Sequence, residues 1–201
     1  MDKLFFFNVL AVFFVVFAND SFAETTVTPL ENGAWQVKVE KGAEQVSAQF
    51  PAQPEVVAQD PNFDESYSFE LIVQNGAPGA EFEVNQVYRL VVSRDLDVLS
   101  LEDGQEVSQA VRDLLPQEVQ NEQIAIRVKD EINEQTADHY VWQGMITKEY
   151  VEDGQWKLLD TVALRIIVSD KLITIASFAG GDASTEQIAD TFLKSVQHDV
   201  R

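Results

Sequence analysis

The stretch HYVWQGMITKEYVEDGQWKLLDTVALRIIVSDKLITIASF, residues 139 to 178, decides the fold. Apolar and polar side chains alternate at its start, which is typical of a half-buried strand. Glu152-Asp153-Gly154 has the residue types of a tight hairpin turn, and a second strand begins at Trp156. After a short turn, Leu172 to Phe178 are apolar on both faces. This stretch therefore predicts two long antiparallel strands followed by a central strand that is covered on both sides.

The rest of the chain repeats the period of two and twice changes to the period of a helix. Further strands are predicted at residues 35–40, 45–50, 66–74, 84–93 and 124–129. Apolar stripes at residues 107–115 and 188–196 predict two amphipathic helices, and Pro116 ends the first. We therefore predict an α+β fold, with a mostly antiparallel, curved sheet of about seven to eight strands flanked by two main helices.

The first 23 residues are predicted to be a signal peptide. Lys3 precedes an apolar run from Leu4 to Ala18, which is shorter than the roughly 20 residues of a spanning helix. Small residues at Ser21 and Ala23 fit a signal-peptidase site, so we expect cleavage after Ala23. An uncleaved anchor is the alternative. Export into a bacterial periplasm, or secretion, is the expected localisation, and no stable membrane insertion is expected after cleavage.

The remaining sequence is predicted to hold one domain. Residues 24–33 are expected to be a short leader that ends in an Asn32-Gly33 turn. Residues 34–201 are expected to form a single α+β domain, because no Pro-rich or Gly/Ser-rich linker divides them.

Composition excludes several functional classes. The chain has 201 residues, with 34 Asp+Glu against 14 Lys+Arg and a net charge of −20, so a nucleic-acid partner is not expected. It has no Cys, which excludes disulfides, thiol nucleophiles and Cys-ligated metal sites. Its 13 Phe and 3 Trp are unlike a disordered acidic chain. No cofactor is expected.

Three aromatic residues are the candidate partner-binding or ligand-binding site. Tyr140, Trp142 and Tyr150 occupy alternate positions of one predicted strand and share a face. Tyr and Trp on such a face are suited to a partner platform, because each has a large area and a polar tip. The same face could instead pack under a helix as core. Gly144 interrupts it, which favours a bulge or a close backbone approach.

Evidence for a metal or catalytic site is weak. Asp60, Asn62 and Asp64 have the spacing that begins a calcium loop, but Glu65 stands where an EF-hand needs Gly. The alternative is an acidic, solvated loop. The two histidines are predicted at the start of a strand, His139, and in a frayed C-terminus, His198. We assign no catalytic residue, since no known nucleophile motif is present.

Three segments carry a resemblance to a known family: Phe50-Pro51-Ala52-Gln53-Pro54, the hairpin Ala163 to Phe178, and Phe192-Leu193-Lys194-Ser195-Val196. In these segments, and in element order over most of residues 34–198, the chain resembles the PsbP-like superfamily, which includes a photosystem II extrinsic subunit, a Ran-GTPase-binding protein and DcrB-type envelope proteins. The resemblance implies a fold used mostly for binding and accessory work. DcrB-type members are typically lipoproteins, and this chain lacks the lipid-acceptor Cys.

Together these observations lead to three functional hypotheses. The first is an exported, non-enzymatic binding or accessory protein that acts on an envelope protein partner. The alternative is a periplasmic protein that binds a small ligand or a divalent ion. A hydrolase with an unrecognised site is the third.

Overall fold

The computed structural model describes residues 24–56, 66–74, 85–94, 96–180 and 186–201, which contain twelve strands and three helices. The strands are β1 Glu24–Pro29, β2 Trp35–Lys41, β3 Glu44–Phe50, β4 Glu55–Val56, β5 Ser66–Gln74, β6 Asn85–Ser93, β7 Val119–Gln120, β8 Ile124–Gln135, β9 His139–Glu152, β10 Gln155–Ser169, β11 Ile173–Ala179 and β12 Gln197–Val200. The helices are α1 Leu96–Leu99, α2 Gly104–Leu114 and α3 Glu186–Ser195.

The strands form two antiparallel sheets. The smaller sheet has the order β1-β2-β3-β12, and the larger has the order β4-β5-β6-β11-β10-β9-β8-β7. The central position predicted for Leu172 to Phe178 is confirmed, because β11 lies between β6 and β10 and most of its side chains are buried.

The predicted α+β fold, with one curved sheet flanked by two main helices, was wrong. The protein is mostly β, because strands in two sheets make up 61% of the described residues. Residues 24–29, predicted as a leader, pair with β2, and residues 197–200 pair with β3. Each of β2 and β3 thus has strand neighbours on both sides, so they belong to a separate sheet and do not extend the larger one. Alternation along each strand could not show these pairings.

One hydrophobic core lies between the two sheets. It joins the inner faces of both sheets with α3 and is centred on Phe192, whose ring meets those of Phe50 and Tyr88 edge to face at 5.2 Å. Edge-to-face packing places the positive edge of one ring against the negative face of another. This core holds the smaller sheet against one face of the larger.

A second core lies on the opposite face of the larger sheet, under α1 and α2. Val111 and Leu115 are buried here against Trp142 and Ile146. Asp103 caps α2, with its Oδ1 accepting from the N–H groups of residues 105 and 106 at 2.8 and 2.9 Å. No helix in the described ranges is long and apolar enough to cross a membrane.

Candidate partner-binding surface

The hairpin of β9 and β10 is longer than the layers that cover it. The strands have 14 and 15 residues and are joined by a turn in which Asp153 has φ 52° and Gly154 has φ 75°. Two successive positive φ values define a two-residue turn whose twist matches that of the strands. The hairpin turn predicted at Glu152-Asp153-Gly154 is therefore confirmed.

The layers that pack on the two faces of the larger sheet end near the middle of β10. Val162 and Ala163 are buried on opposite faces of the sheet, whereas Leu158 and Leu159 are 49% and 52% exposed. Residues 155–160 of β10 lie beyond these layers, and six residues of extended chain span roughly 20 Å. We call residues 148–160, which include the turn, the hairpin arm.

One face of the hairpin arm carries an exposed apolar patch. Trp156 pairs with Val151 and Leu158 pairs with Glu149, so these side chains share a face. The register shifts between Leu158 and Asp160, which places a β-bulge at Leu159. Trp156 is 39% exposed. Contiguous exposed apolar side chains, unlike scattered ones, mark contact surfaces.

The other face of the arm carries Tyr150. It pairs with Lys157 on one side and with Ile124 on the other, and it is partly exposed. Ile124 is itself exposed, as is Val119 of the neighbouring β7. Of the three aromatic residues predicted as a site, Tyr150 thus lies on the arm, but on the face opposite Trp156.

Three basic side chains, Arg127 and Lys129 of β8 and Lys157 of the arm, are paired with carboxylates. Glu149 contacts Lys129 Nζ at 2.7 Å and Arg127 Nε at 3.3 Å, and Lys157 pairs with Glu152. The hydrogen bond from Lys129 lowers the pKa of Glu149 despite burial, and the bond to Glu152 raises the pKa of Lys157. These pairs neutralise the local positive charge.

Exposed carboxylates add negative charge to the rim of the arm. Asp153 is exposed at the turn. Val151 N–H donates to the Gln123 carbonyl at 3.0 Å, which brings exposed Glu122 of the β7–β8 turn beside the arm. The patch is therefore apolar at its centre and acidic at its rim.

Tyr140 and Trp142, in contrast, belong to the second core. Trp142 is 0% exposed and Tyr140 is buried. Trp142 Nε1 donates to Glu131 Oε1 at 3.0 Å, and the Tyr140 hydroxyl bonds to Asn133. Both polar atoms are thus satisfied within the fold. The three aromatic residues do not form one exposed surface.

Gly144 has the close approach expected of a strand glycine. A Cβ at this position would lie 2.7 Å from Cη2 and 2.8 Å from Cζ2 of Trp142. The indole ring lies across the glycine, and the absence of a side chain makes room for it.

Asp60, Asn62 and Asp64 lie outside the described residues. Within the described ranges, no group of three His, Asp or Glu side chains could hold a metal ion.

A buried polar cluster joins the two sheets. Ser169 Oγ donates to Glu44 Oε2 at 2.5 Å, and His198 Nε2 lies 3.2 Å from the same oxygen. The predicted frayed C-terminus was wrong, because His198 lies in β12 with its side chain 1% exposed. Residues 197–200 are too polar for their sequence to predict a strand. They form one because they pair with β3.

The order of groups in this cluster differs from that of a catalytic triad. A serine nucleophile needs a histidine base in direct contact, with the carboxylate behind the histidine. Here Glu44 lies between Ser169 and His198. Burial raises the pKa of Glu44, but hydrogen bonds from His198 and Ser169 and the positive charges of His198 and Lys171 outweigh burial and lower it. Glu44 is therefore held as a carboxylate that accepts both hydrogen bonds.

The sequence of the arm contains one signal of the bulge. Apolar residues alternate from Trp156 onward, except that Leu158 and Leu159 are adjacent and Asp160 occupies an apolar position. Such a one-residue slip is the pattern of a bulge. The exposure of the patch could not be inferred, because it depends on where the covering layers end.

Comparisons with known proteins leave the family open. No protein-family model matches the chain, and no curated protein is similar to it. Among solved structures, the Ran-binding protein Mog1p of Saccharomyces cerevisiae is similar at a TM-score of 0.38 and 11% sequence identity, over 88% of this chain and 96% of that one. A likeness of this degree is no guide to the partner of this chain.

Proposed function

We propose that this chain is an exported, non-enzymatic binding protein that docks on an envelope protein through the hairpin arm. The observation that carries the proposal is the exposed patch of Trp156, Leu158 and Leu159 beyond the reach of both cores. The predicted signal peptide supports the proposal from the sequence.

The chemistry of the patch specifies the partner. An exposed Trp is typical of the centre of a protein–protein contact, where a few anchor residues contribute most of the binding energy. Carboxylates at the rim favour a partner whose apolar surface is ringed by Lys or Arg. An anionic lipid surface is disfavoured, because the chain carries a net charge of −20.

Site-specific photo-cross-linking tests the proposal in the cells that make the protein. A benzophenone amino acid replaces Leu159 in the full chain, and the adducts are identified by mass. A matched variant carries the same group at Val200, which is 49% exposed on β12. Val200 pairs with Glu44, which bonds to Ser169 at the end of β10 opposite the arm. We expect one protein adduct from position 159 and none of that mass from position 200.

Two further measurements make the test specific. Trp156→Ser with Leu158→Ser in the cross-linker chain should reduce the adduct at least about tenfold, the loss expected of a central anchor. Raising the salt concentration should also weaken it, since rim charges are screened. A lipid adduct, an adduct to a second copy, or equal adducts from both positions would each refute the proposal.

A further inference from the structure

The buried polar cluster lies at the end of β9 and β10 away from the hairpin arm. Glu44 and His198 come from the smaller sheet, and Ser169 and the half-buried His139 come from the larger. The two imidazole rings meet edge to face, with centroids 5.4 Å apart and an interplanar angle of 86°. These side chains connect the two sheets at this end of the molecule.

The surroundings of His139 offer little compensation for an added proton. His198 of β12 and Arg165 of β10 act on it as positive charges, and Asp138, the preceding residue, acts as a negative charge. Nδ1 of His139 is buried and has no hydrogen-bond partner in the described residues. A proton on this atom would create a buried, unsatisfied N–H group.

The carboxylate of Glu44 already has hydrogen-bond partners other than His139. Glu44 Oε2 accepts from Ser169 and contacts His198, and the positive charge of Lys171, in the turn after β10, also acts on Glu44. No hydrogen bond or ion pair between Glu44 and His139 is present in the described residues. A charge on His139 would therefore face the His198 ring with no direct partner.

We infer that His139, His198 and Glu44 form an acid-sensitive clasp between the two sheets, in which protonation of His139 releases β12 from the larger sheet. The clasp is independent of the hairpin arm and of the proposed function.

The direction of the pH dependence follows from the environment of His139. Burial lowers its pKa below the ordinary value of 6.5, and the positive charges of His198 and Arg165 lower it further, partly offset by Asp138. The unfolded chain thus takes up this proton more readily than the folded protein does. The stabilisation is fully present above about pH 6.5 and is lost as the pH falls through the lowered pKa.

Amide hydrogen exchange of the C-terminal peptide measures the clasp, because β12 is an edge strand that pairs with β3 and should fray more readily once its contact with the larger sheet is lost. Exchange of residues 197–201 is compared between pH 7.5 and pH 5.0, after correction for intrinsic rates, with the central strand β11 as the internal control. We expect protection of β12 to fall by up to about tenfold for each pH unit below 6.5, with β11 unchanged. This window lies above the ordinary pKa of Glu44, 4.5, so that Glu44 remains charged.

Two variants separate the clasp from general acid sensitivity. His139→Gln removes the imidazole of His139, so its protection of β12 should fall much less between pH 7.5 and pH 5.0 than that of the wild type. Asp138→Asn removes the negative charge beside His139, so it should move the midpoint of the loss to lower pH. Unchanged protection in the wild type, the same pH dependence in His139→Gln, or an unmoved midpoint in Asp138→Asn would overturn the inference. If His139→Gln does not fold, the midpoint of the loss in Asp138→Asn tests the inference on its own.

Discussion

Adding one methyl group at Gly144 should destabilise the protein. The new Cβ would lie 2.7 Å from Cη2 and 2.8 Å from Cζ2 of Trp142, whose ring is 0% exposed and is held by its bond to Glu131. Overpacking of a close-packed core costs about 1–3 kcal/mol. Ala regains about 0.5–1 kcal/mol, because Gly loses more backbone entropy on folding. Gly144→Ala should therefore lower the free energy of unfolding by about 1 kcal/mol, and by about 2.5 kcal/mol at most.

A double-mutant cycle assigns this cost to the contact with Trp142. Phe at position 142 lacks the outer ring atoms that the new methyl group meets, so Gly144→Ala should be neutral or stabilising in a Trp142→Phe background. The four proteins are compared by urea unfolding, followed by far-UV circular dichroism because one variant loses a tryptophan. The expected coupling is about 1–3 kcal/mol.

Equal costs of Gly144→Ala in both backgrounds would refute this reasoning. They would show that the loss comes from the strand backbone and not from the ring above it. Thermal unfolding gives an independent check, since a loss of this size lowers the Tm of a domain of this length by about 2–8 °C.

Three other predictions concern local features. Asp103→Ala removes the acceptor of two N–H groups at the start of α2 and should cost about 1 kcal/mol in urea unfolding, whereas Asp103→Asn should retain most of it. Gly154→Ala forces an L-residue to φ 75° in the hairpin turn and should cost about 1–2 kcal/mol; an unchanged urea midpoint would contradict this. Glu44→Gln should lower stability most above about pH 4.5, and its difference from the wild type should shrink as the pH falls through the lowered pKa of Glu44. A difference that stays constant down to pH 3 would show that the charge of Glu44 contributes nothing.

Features that depend on neighbouring residues were predicted from the sequence. The turn at Asp153-Gly154 and the end of α2 before Pro116 follow from backbone preferences that act over a few residues. The alternation that predicted β9 also placed Tyr140 and Trp142 on one face, which lies under α2.

Features that depend on residues far apart in the chain were not predicted from the sequence. Which strand pairs with β2 or β3 is decided by residues 24–29 and 197–200, and neither segment has a strong strand pattern of its own. The candidate site was missed for a related reason. Alternation shows which residues share a face but not how far the opposing layer extends, so a buried Trp142 and an exposed Trp156 have the same pattern.

The pairing of β3 with β12 also constrains the order in which the protein can fold. The hydrogen bond between Glu44 and His198 joins residues 154 positions apart. Pairings between such distant segments form slowly, because the intervening chain must first be ordered or looped out. A chain that emerges from its N-terminus can form the β2–β3 hairpin early, but that sheet stays one strand short until the last residues emerge. During that interval the edge of β3 is open to pairing with other chains.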